Sequence, residues 1–277
     1  MTLQIGLGFI LSALMGALGY WRQALSISGV VGAVLVGTLI FGLGGWIWGL
    51  VLITFFVSSS WLSHYRRAAK EAVAEKFAKG SRRDLGQALA NGGVGALLAL
   101  VYAQWPDPLV FAAFLGVMGT VNADTWATEL GVLSPVAPRL ITTGQEMPPG
   151  TSGAVSRLGF WASFAGALLI GAVATALAQA ESLWQGGSWS LRAISFPLLS
   201  VVGGLAGSVF DSLLGATVQG IYYCDLCDQE TESPVHRCGR TTHPLRGWTW
   251  LNNDLVNLIA SLVGGALAAS MAWLLWR

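Results

Sequence analysis

Long apolar runs fill almost the whole chain, and short polar segments separate them. A helix needs about 20 consecutive, mostly apolar residues to cross the hydrocarbon core of a bilayer. We predict eight membrane-spanning helices, over residues 3–20, 26–45, 46–64, 87–105, 109–130, 159–180, 194–222 and 250–276. The seventh run is long and rich in glycine, so its helix is expected to be tilted or broken. The pattern therefore predicts an all-α integral membrane protein, in which residues 1–277 form a single transmembrane domain.

The composition agrees with a membrane protein. Charged residues make up 10% of the 277 residues, whereas soluble domains carry about 25%. The 36 glycines are typical of membrane helices, because small residues let neighbouring helices approach closely. The formal net charge of +1 gives no reason to expect a nucleic-acid partner, and the sequence does not indicate an oligomeric state.

Basic residues are concentrated in alternate loops, and this sets the predicted orientation. Thirteen of the 15 Lys and Arg residues lie in four loops, at 21–25, 65–86, 131–158 and 223–249. Loops rich in Lys and Arg stay on the cytoplasmic side of a membrane. We therefore predict that both termini lie on the non-cytoplasmic side. The basic segment 65–86 is expected to attract anionic lipid, and Lys79, Arg82 and Arg83 are its best candidates for contacting phosphates.

Polar side chains inside the predicted spans collect at one depth, near the cytoplasmic ends. They are Asn91 in span four, Asp124 and Glu129 in span five, Asp211 and Gln219 in span seven, and Asn253, Asp254 and Asn257 in span eight. A charge inside the bilayer is costly and usually marks a functional site. A single Ser or Asn, by contrast, often only bridges two helices. Several carboxylates at one depth suit Mg²⁺ bound to substrate phosphates.

We therefore predict a magnesium site in this layer. Its expected ligands are the four carboxylates, Asp124, Glu129, Asp211 and Asp254. The amides expected to contact the substrate or nucleotide are Asn91, Gln219, Asn253 and Asn257. Asp124 and Glu129 are five residues apart, which separates them by about 140° around a helix. They meet at one ion only if the helix end unwinds; otherwise they serve different partners.

The loop at 131–158 is a candidate phosphate-binding loop. It contains PRLIT (138–142) and PPGTSGAVS (148–156), and the second stretch ends where the sixth span begins. Glycine-rich backbone at a helix start can present N–H groups and hydroxyls to phosphates. Arg139, Thr151, Ser152 and Arg157 are the candidate contacts. The Gly-Lys-Ser/Thr ending of a Walker A motif is absent, and a plain turn is the alternative.

All three cysteines lie in the loop at 223–249, which is a candidate zinc site. Cys224, Cys227, His236 and Cys238 have the spacing C-x₂-C-x₈-H-x-C, and His243 is a spare ligand. Three thiolates and one imidazole form the closed tetrahedral set of structural zinc sites. Disulfides are rare on the reducing side of a membrane, so free thiols in a folded loop are the alternative.

Several motifs together resemble the membrane family that includes phytyl-phosphate kinase of photosynthetic organisms. They are QALANGG (87–93), DTWATELG (124–131), PRLITT (138–143), PGTSGAVS (149–156), GSVFDSLLGATVQ (207–219), HRCG (236–239) and WLNNDLVN (250–257). The similarity runs from about residue 58 to the C-terminus. Ala154 stands where a further glycine is expected, and this difference should be harmless.

The resemblance implies transfer of a phosphoryl group from CTP or ATP to a prenyl monophosphate such as phytyl phosphate. The product would be the diphosphate used for tocopherol and phylloquinone synthesis, in a cytoplasmic or photosynthetic membrane. The expected catalytic residues are Asp124, Glu129, Asp211 and Arg139, with Arg83 among the phosphate contacts. Alternatives are a cytidylyltransferase that forms a CDP-lipid and a membrane transporter. Transport is disfavoured because the polar layer lies at one face, whereas transporter sites lie near the midplane.

Two predicted spans also resemble each other. MGTVNADTWATELG (118–131) and AGSVFDSLLGATVQG (206–220) share small residues, then an aspartate, then glycine and a polar end. If the similarity is not due to chance, two aspartate-bearing helices of common design face each other across the site.

Overall fold

The structure, a computed structural model, describes residues 2–66, 69–70 and 82–277. Eight of its helical segments are long and apolar enough to cross a membrane, which confirms the eight predicted spans. Residues 67–68 and 71–81, with most of the predicted basic segment and Lys79, lie outside the described residues. The orientation of the termini stays a prediction.

The bounds of the helices are as follows. They are α1 (Thr2–Trp21), α2 (Ile27–Leu39, continued by a π-helix over Ile40–Gly44), α3 (Trp46–His64), α4 (Leu85–Gln104), α5 (Pro108–Gly131), α6 (Arg157–Trp184), α7 (Leu191–Ile194), α8 (Phe196–Thr217) and α9 (Asn253–Leu275). The short α7 and α8 together form the seventh span. That span is broken at Ser195, before the helix-starting Pro197.

Several predicted span ends differ from the structure by three residues or more, and two of them lie at the polar end of the bundle. The seventh span was predicted to reach residue 222, but α8 ends at Thr217 and residues 221–224 form a strand. The eighth span was predicted from residue 250, but α9 starts at Asn253 because the Asn252 side chain caps it, accepting from Leu255 N at 3.0 Å. An N-cap side chain satisfies a backbone N–H that has no partner inside the helix, and so defines the helix start.

The central helix of the bundle is α5, whose glycines allow close contact with α8 and α9. A Cβ atom on Gly119 would lie 2.6 Å from the carbonyl oxygen of Ser200, and one on Gly203 would lie 2.8 Å from the Gly116 Cα. Thr120 donates to the Gly203 carbonyl at 3.1 Å across the same contact. The two helices predicted to resemble each other are therefore packed side by side through their small residues.

Two loops contain small antiparallel sheets, which the prediction of an all-α protein did not include. In the loop at 131–158, β1 (Arg139–Leu140) pairs with β2 (Ala154–Val155). In the loop at 223–249, β3 (Ile221–Cys224) lies between β4 (Gln229–Thr231) and β5 (His243–Arg246). The all-α prediction is confirmed for the membrane-spanning part, and both sheets lie at the end of the bundle that holds the polar layer.

Candidate metal and phosphate site

A cavity of about 570 Å³ opens at the end of the bundle that carries the polar residues. Its walls come from the ends of α3, α5 and α8, the starts of α4, α6 and α9, and the two sheet-containing loops. Most of the predicted site residues line it, namely Arg83, Asn91, Asp124, Glu129, Arg139, Thr151, Ser152, Arg157, Asp211, Asn253 and Asn257. Residues scattered along the chain from 83 to 257 thus meet in one cavity.

Asp124 and Asp211 form the acidic centre of this cavity, together with Glu232 from the Cys/His loop. The three carboxylates are close enough for each to interact electrostatically with the other two. Among the described residues, no hydrogen-bond donor reaches the buried Oδ2 atom of Asp211. Buried carboxylate oxygens are normally paired, because burying a bare charge is costly. This donor set therefore fits a bound divalent cation.

Glu129 lines the cavity but has different partners. Its two carboxylate oxygens accept from Ser63 Oγ and from Lys70 Nζ, each at 2.6 Å. The Lys70 and Glu129 side chains are only 11% and 22% exposed, so the ion pair is shielded from water. Because α5 remains helical through Gly131, the unwinding that would bring Glu129 and Asp124 to one ion does not occur. Of the two alternatives for this pair, the structure supports different partners.

Two predicted residues lie beside the cavity rather than in its wall. These two residues are Asp254 and Gln219. On α9, the residues that line the cavity are Asn253 and Asn257. Asp254 lies in the first turn of α9, where a negative charge stabilises the positive end of the helix dipole. Gln219 is almost fully buried and contacts the site indirectly: it accepts from Ser152 Oγ at 3.1 Å and donates to Glu232 Oε1 at 3.0 Å.

The glycine-rich loop docks onto the end of α8. Gly150 and Gly153 have positive φ angles of 79° and 81°, which a residue with a side chain adopts only with strain. Thr151 donates to the Pro148 carbonyl at 2.8 Å and so closes the turn. A Cβ atom on Gly215 would lie 2.7 Å from Ser152 Oγ, so the loop and α8 are in close contact. The first turn of α6 then follows, and Arg157 and Gly159 from it line the cavity.

Three arginines border the cavity in different environments. Arg83 is half-buried, donates to Ser60 Oγ at 3.2 Å and lies over the Phe55 ring at 5.7 Å. Burial lowers the pKa of Arg83 below its usual value, and the nearby Glu129 acts in the opposite direction. Arg139 pairs with Glu146 at 2.6 Å with both side chains more than half exposed, and such pairs are weak. Arg157 is exposed, so both surface arginines remain accessible to a phosphate.

The four predicted zinc ligands lie together. Their ligand atoms are all within 4.8 Å of one another, and the Sγ atoms of Cys224 and Cys238 are 3.7 Å apart. A tetrahedral ion with Zn–S bonds of about 2.3 Å separates two sulfurs by about 3.8 Å, so Cys224 and Cys238 already have the spacing of two zinc ligands. A hydrogen bond with His236 lowers the pKa of the Cys238 thiol to about 6, which favours the metal-binding thiolate. His243 instead contacts Asp225 at 3.3 Å.

Sequence reasoning missed two residues that organise the site. Glu232 lines the cavity, although it belongs to a polar loop in which acidic residues are unremarkable. Arg246 donates to the Gly215 carbonyl at 2.8 Å and to the Ser152 carbonyl at 3.3 Å, which ties the glycine-rich loop to α8. The sequence signal available for both is their position relative to the proposed zinc ligands: Glu232 lies between Cys227 and His236, and Arg246 lies eight residues after Cys238.

Residues 10–265 match the family model described as Integral membrane protein DUF92. The chain belongs to the DUF92 family. One DUF92 relative, Protein PGR of Arabidopsis thaliana, is 31% identical over 94% of this chain and 93% of its own length. An uncharacterized membrane protein of Methanocaldococcus jannaschii is 29% identical over 88% of this chain and 84% of its own. Protein VTE6, chloroplastic, of Arabidopsis thaliana is 26% identical over 89% of this chain and 65% of its own. No solved structure matches the chain.

Proposed function

We propose that this DUF92 protein is a membrane kinase that transfers a phosphoryl group from CTP or ATP to a prenyl monophosphate, with phytyl phosphate as the expected acceptor. The observation that supports the proposal most strongly is that a polar, acidic cavity adjoins an apolar groove. A ligand that fills both must have a charged head and a hydrocarbon tail.

The apolar groove lies between α1, α2, α3 and α4. Its lining is almost entirely apolar and includes Leu11, Met15, Ala33 and Phe56. The groove and the acidic cavity share three residues, Arg83, Gln87 and Asn91. This junction supports a prenyl monophosphate whose phosphate lies near Arg83 while its tail extends into the groove. The resemblance to the phytyl-phosphate kinase family favours the same class of substrate.

The nucleoside triphosphate would occupy the acidic side of the cavity. Asp124 and Asp211 would hold Mg²⁺, with Glu232 close to both. When bound, the ion would neutralise charge on the β- and γ-phosphates. The glycine-rich loop and the first turn of α6 would supply backbone N–H groups to phosphate oxygens, and Arg139 and Arg157 would contact them from the surface.

In the proposed reaction, an oxygen of the prenyl monophosphate attacks the γ-phosphorus and the bond to the β-phosphate oxygen breaks. The products are the prenyl diphosphate and a nucleoside diphosphate. The acceptor oxygen is already ionised, so no strong general base is needed. The protein would act by aligning two highly charged groups and by neutralising their mutual repulsion, which Arg83 would assist from the acceptor side.

Two labelled donors test the proposal. The protein in membranes receives phytyl phosphate, Mg²⁺ and CTP or ATP labelled at either the γ- or the α-phosphate. We expect the γ-label in the lipid and the α-label in the nucleoside diphosphate. An α-label in the lipid with the γ-label in pyrophosphate would instead identify a cytidylyltransferase. Absence of label from the lipid with phytyl, geranylgeranyl and longer acceptors would contradict the proposal.

A further inference from the structure

We propose that the Cys/His loop is a zinc-organised cap that holds Glu232 in the acidic cavity as its third metal-binding carboxylate. The zinc site itself does not depend on the enzymatic activity. The role of Glu232 as a ligand rests on the proposed function, because it assumes a divalent cation between Asp124 and Asp211.

Along the chain, Glu232 lies between the first two proposed zinc ligands and the last two. Cys224 ends β3 and Cys227 lies in the turn that follows, while His236 and Cys238 come after β4. Strand pairing aligns Cys224 with Gln229 and Tyr222 with Thr231. Glu232 directly follows Thr231, so the path of β4 decides where its carboxylate lies. An ion bound by residues before and after β4 therefore fixes both ends of the segment that carries Glu232.

The cap has almost no apolar core of its own. Between residues 222 and 250, the only buried residues are Cys224, Thr231 and His236, and two of these are proposed ligands. Three short strands without a hydrophobic face are not expected to be stable alone. Small loops of this kind are commonly folded by the metal that they bind. Because the cap has almost no apolar core, we expect that loss of zinc releases it from the cavity.

A buried amide links the cap to the rest of the site. Gln219 donates to Glu232 Oε1 at 3.0 Å and accepts from Ser152 Oγ at 3.1 Å, so its two ends join the cap and the glycine-rich loop. Arg246, from the last strand of the cap, donates to the carbonyls of Gly215 and Ser152. The cap, the glycine-rich loop and the end of α8 thus form one hydrogen-bonded unit around the acidic centre. We assign Gln219 and Arg246 as positioning residues.

The first part of the test measures zinc directly. Protein purified in detergent is analysed for zinc by elemental mass spectrometry, and we expect one zinc per chain. Cys238→Ser and His236→Ala should lose the zinc. His243→Ala, which changes a neighbouring histidine outside the cluster, should keep it. A wild-type protein without zinc, or equal zinc in all four proteins, would overturn the proposal.

The second part measures whether zinc and Glu232 act at the acidic cavity, with Mn²⁺ as the probe and no nucleotide or lipid present. Mn²⁺ affinity is measured by electron paramagnetic resonance in the wild type, in Glu232→Gln and in wild-type protein stripped of zinc by a chelator. We expect a loss of about tenfold or more in both altered proteins. Glu232→Gln should keep its zinc, and adding zinc back to the stripped protein should restore Mn²⁺ binding. This restoration distinguishes release of the cap from irreversible unfolding.

The outcomes separate this inference from the proposed function. Unchanged Mn²⁺ affinity in Glu232→Gln or in the zinc-free protein, or no Mn²⁺ binding by the wild type, would overturn the inference even if the kinase reaction is observed. Zinc-dependent and Glu232-dependent Mn²⁺ binding without any transfer to prenyl monophosphates would support the cap and contradict the kinase.

Discussion

Asp211→Asn is predicted to lower kcat by about 10²–10³-fold while leaving the metal-free protein as stable as the wild type, or more stable. The substitution keeps the shape of the side chain and removes its charge. Asp211 Oδ2 is buried and no donor among the described residues reaches it, and two further carboxylates lie nearby. Without a cation, this cluster of like charges works against folding. With a cation bound, the cluster would hold the positive charge that neutralises the phosphates.

The expected magnitudes follow from these two roles. Asn removes the buried negative charge, and its amide N–H groups can donate to the neighbouring carboxylates. A buried group that lacks a partner costs about 1–3 kcal/mol, so the metal-free variant should gain stability by up to that amount. Removing one charged group that stabilises a transition state costs about 10²–10³-fold in kcat, which is about 3–4 kcal/mol at 1.36 kcal/mol per tenfold. The two effects have opposite signs, and a simple loss of folding cannot produce both.

The assay compares Asp211→Asn with Asp107→Asn. Asp107 caps α5 at the other end of the bundle, where it accepts from Leu109 N at 2.7 Å, and Asn is an equally good cap. Transfer of labelled phosphate and thermal unfolding in the presence of a chelator are measured for both. We expect the Asp107 variant to match the wild type in both measurements. Near-normal turnover in Asp211→Asn, or a large loss of stability together with the loss of turnover, would refute the reasoning.

Three further predictions test other parts of the site. Ala33→Phe should obstruct the apolar groove and raise the KM for phytyl phosphate without changing the KM for the nucleotide; Val31→Phe, on the exposed side of the same helix, should change neither. Gly153→Ala should disrupt the docking of the glycine-rich loop and reduce kcat/KM for the nucleotide by about tenfold or more. Its control is Gly144→Ala, because Gly144 has a similar positive φ angle but open space around it. That variant should lower only the stability of the protein. Glu129→Gln should leave Mn²⁺ affinity within about twofold, because this carboxylate binds Lys70 and Ser63 rather than the proposed ion. A large loss of Mn²⁺ affinity in Glu129→Gln would return Glu129 to the metal site.

The membrane part of the site could be predicted because the bilayer makes polar residues informative. Placing a carboxylate such as Asp124 or Asp211 inside an apolar run costs free energy, so its presence indicates a functional site. Its position along the run indicates its depth in the membrane. Both residues line the same cavity, as the common depth predicted. The packing of α5 against α8 through glycine also agrees with the similarity between their sequences.

Polar residues in the loops carry no such signal. Glu232 and Arg246 lie among many charged residues, where a charge has no special cost and so gives no signal. Their roles depend on how the short strands of the cap pair, and this is not visible in hydropathy. Asp254 lies at the depth of the polar layer and also in the first turn of α9, where an acidic residue stabilises a helix start. Depth alone therefore does not separate a metal ligand from a helix-stabilising residue, and the magnesium-binding role of Asp254 stays a prediction.

The product that the purified protein forms is the most direct test of the proposed kinase activity. The protein in detergent receives phytyl phosphate, Mg²⁺ and CTP or ATP, and the lipid and nucleotide products are identified by mass spectrometry. We expect phytyl diphosphate, heavier than the acceptor by one phosphoryl group, together with an equal amount of nucleoside diphosphate. A lipid that carries the nucleotide, or an acceptor that is recovered unchanged, would contradict the proposed kinase activity.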